Sequence, residues 1–204
     1  AILRVDGGNL TAVKALERLY RDEGLWDRLI TVMQHHLSLV TDRREQVALE
    51  VAIGEVWWKE MSRVDRAEAI FNHALQLDPD SREAVSALGR LYERSGNWNL
   101  ALDMLRREAR IAGGARDAVD IHVRVGAIHE DMLMDPASAK EAYARAMQLD
   151  PGCLPAIRAL RGIAERERDR DRFLEMLVEE ARYTADAAEK TRLYTAAGRV
   201  YHEE

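Results

Sequence analysis

The side chains best suited to acid–base or metal chemistry in this 204-residue chain are six histidines, one cysteine and 36 carboxylates. Their spacing does not assemble a centre. His35 and His36 are adjacent, so on a helix they point about 100° apart and offer no two-ligand face. His122 and His129 share a face but stand two turns apart. Neither spacing matches His-Glu-x-x-His, and Cys153 has no second cysteine to join it. Gly7-Gly8 and Gly113-Gly114 read as connectors between helices rather than as a phosphate-cradling loop. The carboxylates read as solvated helix faces, so we expect no enzyme, no cofactor and no metal. The alternating Glu, Arg and Asp of 165–172 reads as a solvated helix end, with a docking patch as the rival reading.

The elements that would have to position such groups show in composition and periodicity. Hydrophobic residues make up 47% and charged residues 32%, a folded, helix-rich mixture. The net charge of −6 argues against a general nucleic-acid binder, which needs a basic surface to release counterions. No apolar run approaches the roughly 20 residues that span a bilayer, so membrane insertion is not expected. A single cysteine and no leader-like segment point to a reducing, cytoplasmic compartment. Lys14, Lys59, Lys140 and Lys190 are the only lysines among 30 basic residues, a codon bias that points to a GC-rich, bacterial genome.

The chain repeats at an interval of 72 residues. Leu16, Leu88 and Leu160 obey it, as do Ala12, Ala84 and Ala156, then Gly54, Gly126 and Gly198, then Asp6, Asp78 and Asp150. Trp26 recurs as Trp98. Apolar residues three and four apart predict first helices over 10–23, 47–61, 82–95, 119–133, 154–168 and 191–204. Second helices follow over 26–41, 65–77, 98–112, 136–149 and 170–185. Asp65 and Asp135 are candidate N-caps, and Pro136 suits a first helical turn. Asp78-Pro79 and Asp150-Pro151 mark stops. No segment alternates with period two, so no sheet is predicted.

These residues resemble the tetratricopeptide repeat family. Leu88-Gly89, Tyr92, Trp98, Ala101 and Leu105 fit one copy of its pattern. Gly54 and Trp57 with Ala67, Phe71, Ala74 and Pro79 fit a second, and Gly126 with Ala139, Tyr143, Ala146 and Pro151 a third. The resemblance implies an all-α, right-handed superhelical solenoid of antiparallel helix pairs. Its repeats would be 10–46, 47–81, 82–118, 119–153 and 154–190. Residues 1–9 would end a preceding repeat and 191–204 form a terminal or capping helix, as in an excerpt of a longer solenoid. Glycines and alanines would let helix backbones approach, with Trp57, Phe71 and Tyr143 filling the core. One pair cannot cover its own apolar faces, so neighbours must stack.

The departures are systematic. The alanine expected late in the second helix is His36, Glu108 or Glu180 in the first, third and fifth repeats. Glu17 and Arg161 replace the expected glycine, so Glu17–His36 and Arg161–Glu180 should face each other as charge pairs.

By resemblance, the function is that of a noncatalytic scaffold or adaptor holding a protein or peptide in a concave groove. The groove positions carry Lys14, Arg18, Arg90, Arg94, Arg124, Arg158 and Arg199 against the acidic Glu55, which suggests an acidic ligand. If Trp57 fills the core, Trp58 turns to the groove edge as an apolar anchor. A chaperone-tail clamp is disfavoured, because Arg18 and Ala52 stand where the family's clamp has asparagines. Two rivals are an RNA-processing repeat of the HAT type, which Asp65-Arg66-Ala67-Glu68-Ala69-Ile70-Phe71 resembles, and a regulatory segment of a larger enzyme.

Overall fold

The computed structural model of the chain describes residues 9–202. The reading of residues 1–6 as the end of a preceding helix, and of Gly7-Gly8 as a connector, lies outside them. Among the described residues there are eleven α-helices and no strand. They are α1 (Leu10–Asp22), α2 (Trp26–Leu39), α3 (Arg43–Glu55), α4 (Val64–Leu77), α5 (Arg82–Arg94) and α6 (Trp98–Ile111), then α7 (Ala115–Ala127), α8 (Pro136–Leu149), α9 (Leu154–Glu167), α10 (Arg170–Tyr183) and α11 (Ala187–His202). They form two compact units divided after Ile111. In the first, α1, α3 and α5 pair with α2, α4 and α6, and successive pairs stack. In the second, α7 pairs with α8, α9 with α10, and α11 packs on α10.

Local chemistry sets the helix ends. Asn9, Asp42, Ser81, Asp135 and Asp169 each accept a backbone N–H three residues on, and Pro136 opens α8. α4 and α8 stop at Leu77 and Leu149, one residue before Asp78-Pro79 and Asp150-Pro151. Asp65 is not a cap. The cap position of α4 is Arg63, and Asp65 sits inside the first turn, where the Arg63 guanidinium hydrogen-bonds its carboxyl and holds it below the ordinary range. Backbone with positive φ also recurs at 72 residues: Gly24, Gly96 and Arg168 at 67°, 72° and 59°, then Ser62 and Met134 at 54° and 52°. α3, α7 and α11 begin four residues earlier than apolar periodicity predicts. Their first turns, such as the exposed Arg43-Arg44-Glu45, carry only polar residues and alanines, so no large apolar side chain marks them.

The interval from Gly89 to Ala101 is twelve residues, whereas Gly54 to Ala67 and Gly126 to Ala139 span thirteen. α3 and α7 absorb the extra residue as a π-helical turn, over Val56–Glu60 and Ile128–Met132. The turn shifts the register. Val56 is buried where Trp57 was expected, and Trp57 lies half-buried against Leu29, Ile30, Met33 and Ile53, with the Arg66 guanidinium 5.0 Å above its ring.

The glycines do something more specific than bring backbones together. A Cβ on Gly54 would lie 2.4 Å from the Phe71 ring, and one on Gly126 would lie 2.5 Å from the Tyr143 ring. Each ring rests flat on bare helix backbone. Ala67 and Ala74 beside Phe71, and Ala139 and Ala146 beside Tyr143, are fully buried. A Cβ on Gly89 would lie 3.3 Å from the Met104 Cβ, a closer approach than most side chains make. The Tyr143 hydroxyl donates to Glu130 and the Tyr92 hydroxyl to Glu68, each at 2.9 Å. Burial first, and then the Glu68 carboxylate, pushes Tyr92 up to about 12.

Gly54→Ala and Gly126→Ala should each destabilise the chain by about 1–3 kcal/mol through overpacking, despite the better helix propensity of alanine. Urea unfolding midpoints check this, and an increase in stability would show that the rings yield.

Candidate functional site

The residues nominated for a groove lie on the first helices, and the structure gives most of them carboxylate neighbours. Lys14 Nζ on α1 is 3.6 Å from Glu45 Oε1 on α3. Glu55 Oε1 on α3 receives Lys59 Nζ at 3.0 Å and Arg90 Nη2, from α5, at 3.3 Å. Arg18 extends into solvent, 3.8 Å from Asp22 one turn on. Arg94 and Arg199 are exposed near the ends of α5 and α11. The face of α1, α3 and α5 is therefore a ladder of alternating charges.

Among the concavities of the described residues, one of about 490 Å³ lies between Asp42–Arg44 and Leu77–Pro79, and two others flank it in size. The smaller, about 280 Å³, lies among the end of α1, the start of α2 and α3, lined by Arg21, Trp26, Ala52, Glu55, Val56 and Lys59, with Glu60 at its rim. Trp58 stands outside it, half-buried, with Lys59 Nζ 6.0 Å from its ring centroid. The larger, about 830 Å³, lies between α7 and the turn from α8 into α9. Its apolar walls are Val119, Val123, Leu149, Leu154 and Pro155. Arg116 and Arg124 bring positive charge, and Asp120 and Asp150 negative. Arg124 is the one nominated residue here. Leu149, Leu154 and Pro155 went unnoticed in the sequence because they are single residues at helix ends, outside any periodic stripe. Cys153 also lines this cleft; burial raises its thiol pKa, so it is the protonated thiol rather than a nucleophilic thiolate near neutral pH.

Arg158 turns toward α10 rather than standing free. Its Nε is 2.8 Å from Glu180 Oε1, and Arg161 Nε lies 3.0 Å from Glu180 Oε2. Glu180 is only 3% exposed, so this carboxylate is buried between two guanidiniums. The Arg161–Glu180 pair matches expectation, and so does the other: His36 Nδ1 is 2.8 Å from Glu17 Oε1. The remaining histidines are dispersed. His73 Nδ1 meets the buried Glu50 at 2.6 Å, and His129 lies 3.6 Å from Asp135. Burial, then Arg145, lowers the pKa of His122. Among the described residues no three His, Cys, Asp or Glu side chains converge as a metal site. Nor is any helix among them long and apolar enough to cross a membrane.

Comparisons with known proteins agree with this architecture. Residues 12–47 and residues 60–112 each match a tetratricopeptide repeat family. The crystal structure of MamA is similar at a TM-score of 0.59 and 17% identity, over 90% of this chain and 97% of that one. YrrB, described as a TPR protein with an unusual peptide-binding site, is similar at a TM-score of 0.57 and 18% identity, over 95% of this chain and 96% of its own. The human IFIT1 dimer with PPP-AAAA gives a TM-score of 0.60 and 20% identity over 92% of this chain, which spans 46% of that one. A comparison with curated protein sequences gives no match. The fold is that of stacked helical repeats, and the chain is a tetratricopeptide-repeat protein, a class of protein-interaction scaffold.

Replacing both Arg158 and Arg161 by methionine leaves Glu180 buried without a counter-charge, and should cost about 3–5 kcal/mol in urea unfolding. Adding Glu180→Leu should recover most of that loss. If the double substitution changes little, the pair of guanidiniums is not what keeps the carboxylate buried.

Proposed function

We propose that the chain is a noncatalytic scaffold that seats a short acidic peptide, or an acidic segment of a partner protein, with the cleft between α7 and α9 as its principal seat. The observation that carries this reading is that open cleft, in which apolar walls converge with Arg116 and Arg124 at one place. Apolar side chains of the ligand would supply most of the affinity, at about 25 cal/mol per Å² removed from water. An arginine can meet a ligand carboxylate through two parallel hydrogen bonds, which adds direction as well as charge.

The charge ladder of α1, α3 and α5 would offer a similar preference within its own unit. Exposed ion pairs are worth only about 0–1 kcal/mol, so Arg90 could exchange Glu55 for a ligand carboxylate at little cost. YrrB, with its peptide-binding site, supports a peptide as the class of ligand. IFIT1 is described with PPP-AAAA, and RNA, the ligand of the rival HAT-type reading, is the competing acidic ligand; the net charge of −6 weighs against it here.

Calorimetric titration with two peptides that share apolar residues but differ by Glu for Gln should show tighter binding of the acidic one. Arg116→Glu and Arg124→Glu together should weaken the acidic peptide by roughly tenfold and spare the neutral one. Equal affinities, or salt-sensitive binding of RNA without binding of either peptide, would remove the acidic-peptide reading.

A further inference from the structure

We propose, on the reading that the cleft between α7 and α9 seats a peptide, that the bound segment is extended and alternates in charge. Acidic, basic and acidic side chains stand at every second residue, with apolar residues between them. The wall formed by α7 dictates that order. Arg116, Asp120 and Arg124 line the cleft at four-residue intervals on one helix, so positive, negative and positive charge follow one another along it.

A second carboxylate reinforces the negative middle of this row. Asp150 lines the other wall, in the turn from α8 into α9. Its Oδ1 accepts the Gly152 N–H at 2.9 Å, which holds the carboxylate in place. Asp150 and Asp120 both act on Cys153, whose thiol pKa is raised chiefly by burial and further by these two charges. A cation therefore belongs beside Asp120, and an anion beside each arginine.

The repeat shows that the fold does not require this row. At intervals of 72 residues, Arg116, Asp120 and Arg124 correspond to Arg44, Ala48 and Ala52 on α3, and to Ala188, Arg192 and Ala196 on α11. The apolar wall differs as well: Leu154 and Pro155 stand where α5 begins with Arg82 and Glu83. The corresponding recess beside α3 is smaller, about 490 Å³ against about 830 Å³. Both walls of the cleft already have their partners, since α7 packs on α8 and α9 on α10.

The spacing selects an extended ligand. Four residues of helix rise about 6 Å, and two residues of extended chain advance about 6.6 Å. Residues i, i+2 and i+4 of an extended peptide share one side, so they meet the three charges in step. The residues between them point the other way, toward Leu149, Leu154 and Pro155. A segment this short does not hold itself as a helix.

The test titrates fluorescent peptides with blocked, uncharged ends against the natural chain by anisotropy. Glu-Leu-Lys-Leu-Glu should bind roughly tenfold or more tightly than Glu-Leu-Glu-Leu-Lys, which has the same composition. The second peptide sets two like charges together whichever way it runs. Asp120 is exposed, so Asp120→Lys should leave the circular dichroism unchanged while turning the preference to Glu-Leu-Glu-Leu-Glu. Equal affinity for the two isomeric peptides overturns the alternation and leaves an acidic-peptide seat standing. So does tighter binding of Glu-Leu-Glu-Leu-Glu to the natural chain, or a preference that Asp120→Lys does not alter. Failure of every peptide to bind removes the seat itself, and the alternation with it.

Discussion

An aromatic ring lying on the bare backbone of a glycine is the contact around which the pairs α3–α4 and α7–α8 are built. With a Cβ position only 2.4–2.5 Å from the ring, no other residue type can occupy Gly54 or Gly126 without moving Phe71 or Tyr143. The ring sets the separation and rotation of its two helices, and the fully buried alanines on either side follow from that separation. A pair packed so tightly along one seam leaves its other apolar residues uncovered. In the first unit Leu29, Ile30 and Met33 of α2 meet Ile53 and Val56 next to α3, so that one pair supplies the cover the other lacks.

Two of the alternate pairs solve the same problem with charge, whereas α5–α6 keeps Gly89 and buries Glu108. Where the ring-bearing pairs have glycine and alanine, α1–α2 has Glu17 and His36, and α9–α10 has Arg161 and Glu180. Buried ion pairs add little stability, because desolvation offsets most of their attraction. Their effect is on pairing. A helix carrying Phe71 placed opposite Glu17 would find no space for its ring. The ring-bearing helix is thereby matched to its own first helix.

Much of this was legible in the residues alone. The 72-residue interval located the helices, and position within the repeat was enough to set Glu17 against His36 and Arg161 against Glu180, because contacts inside a pair depend on spacing along two helices. The π-helical turns were less visible, although the thirteen-residue interval from Gly54 to Ala67 against twelve from Gly89 to Ala101 is their trace. That one residue is why Val56 rather than Trp57 is buried, and why Trp58 does not line the concavity beside α3. Partners reached by long side chains, between pairs or within one, were not legible at all. Lys14 with Glu45, Arg90 with Glu55, and Arg158 sharing Glu180 with Arg161 depend on how long side chains cross from one helix to another, which no spacing rule specifies.

These pairings change how selectivity could arise. A row of unpaired arginines would attract any anion, whereas arginines already facing carboxylates gain only the difference between an old partner and a new one. Glu55, held between Lys59 and Arg90, and Glu45 near Lys14 set the standard that an incoming carboxylate must match. Charge alone therefore cannot decide what binds. Discrimination then falls to the places where charge and apolar surface coincide. Beside α7, Arg116 and Arg124 lie with Asp120 and Asp150 next to Val119, Val123 and Leu154, so under the proposed function a ligand would have to place charge and a hydrophobic side chain together to gain from both.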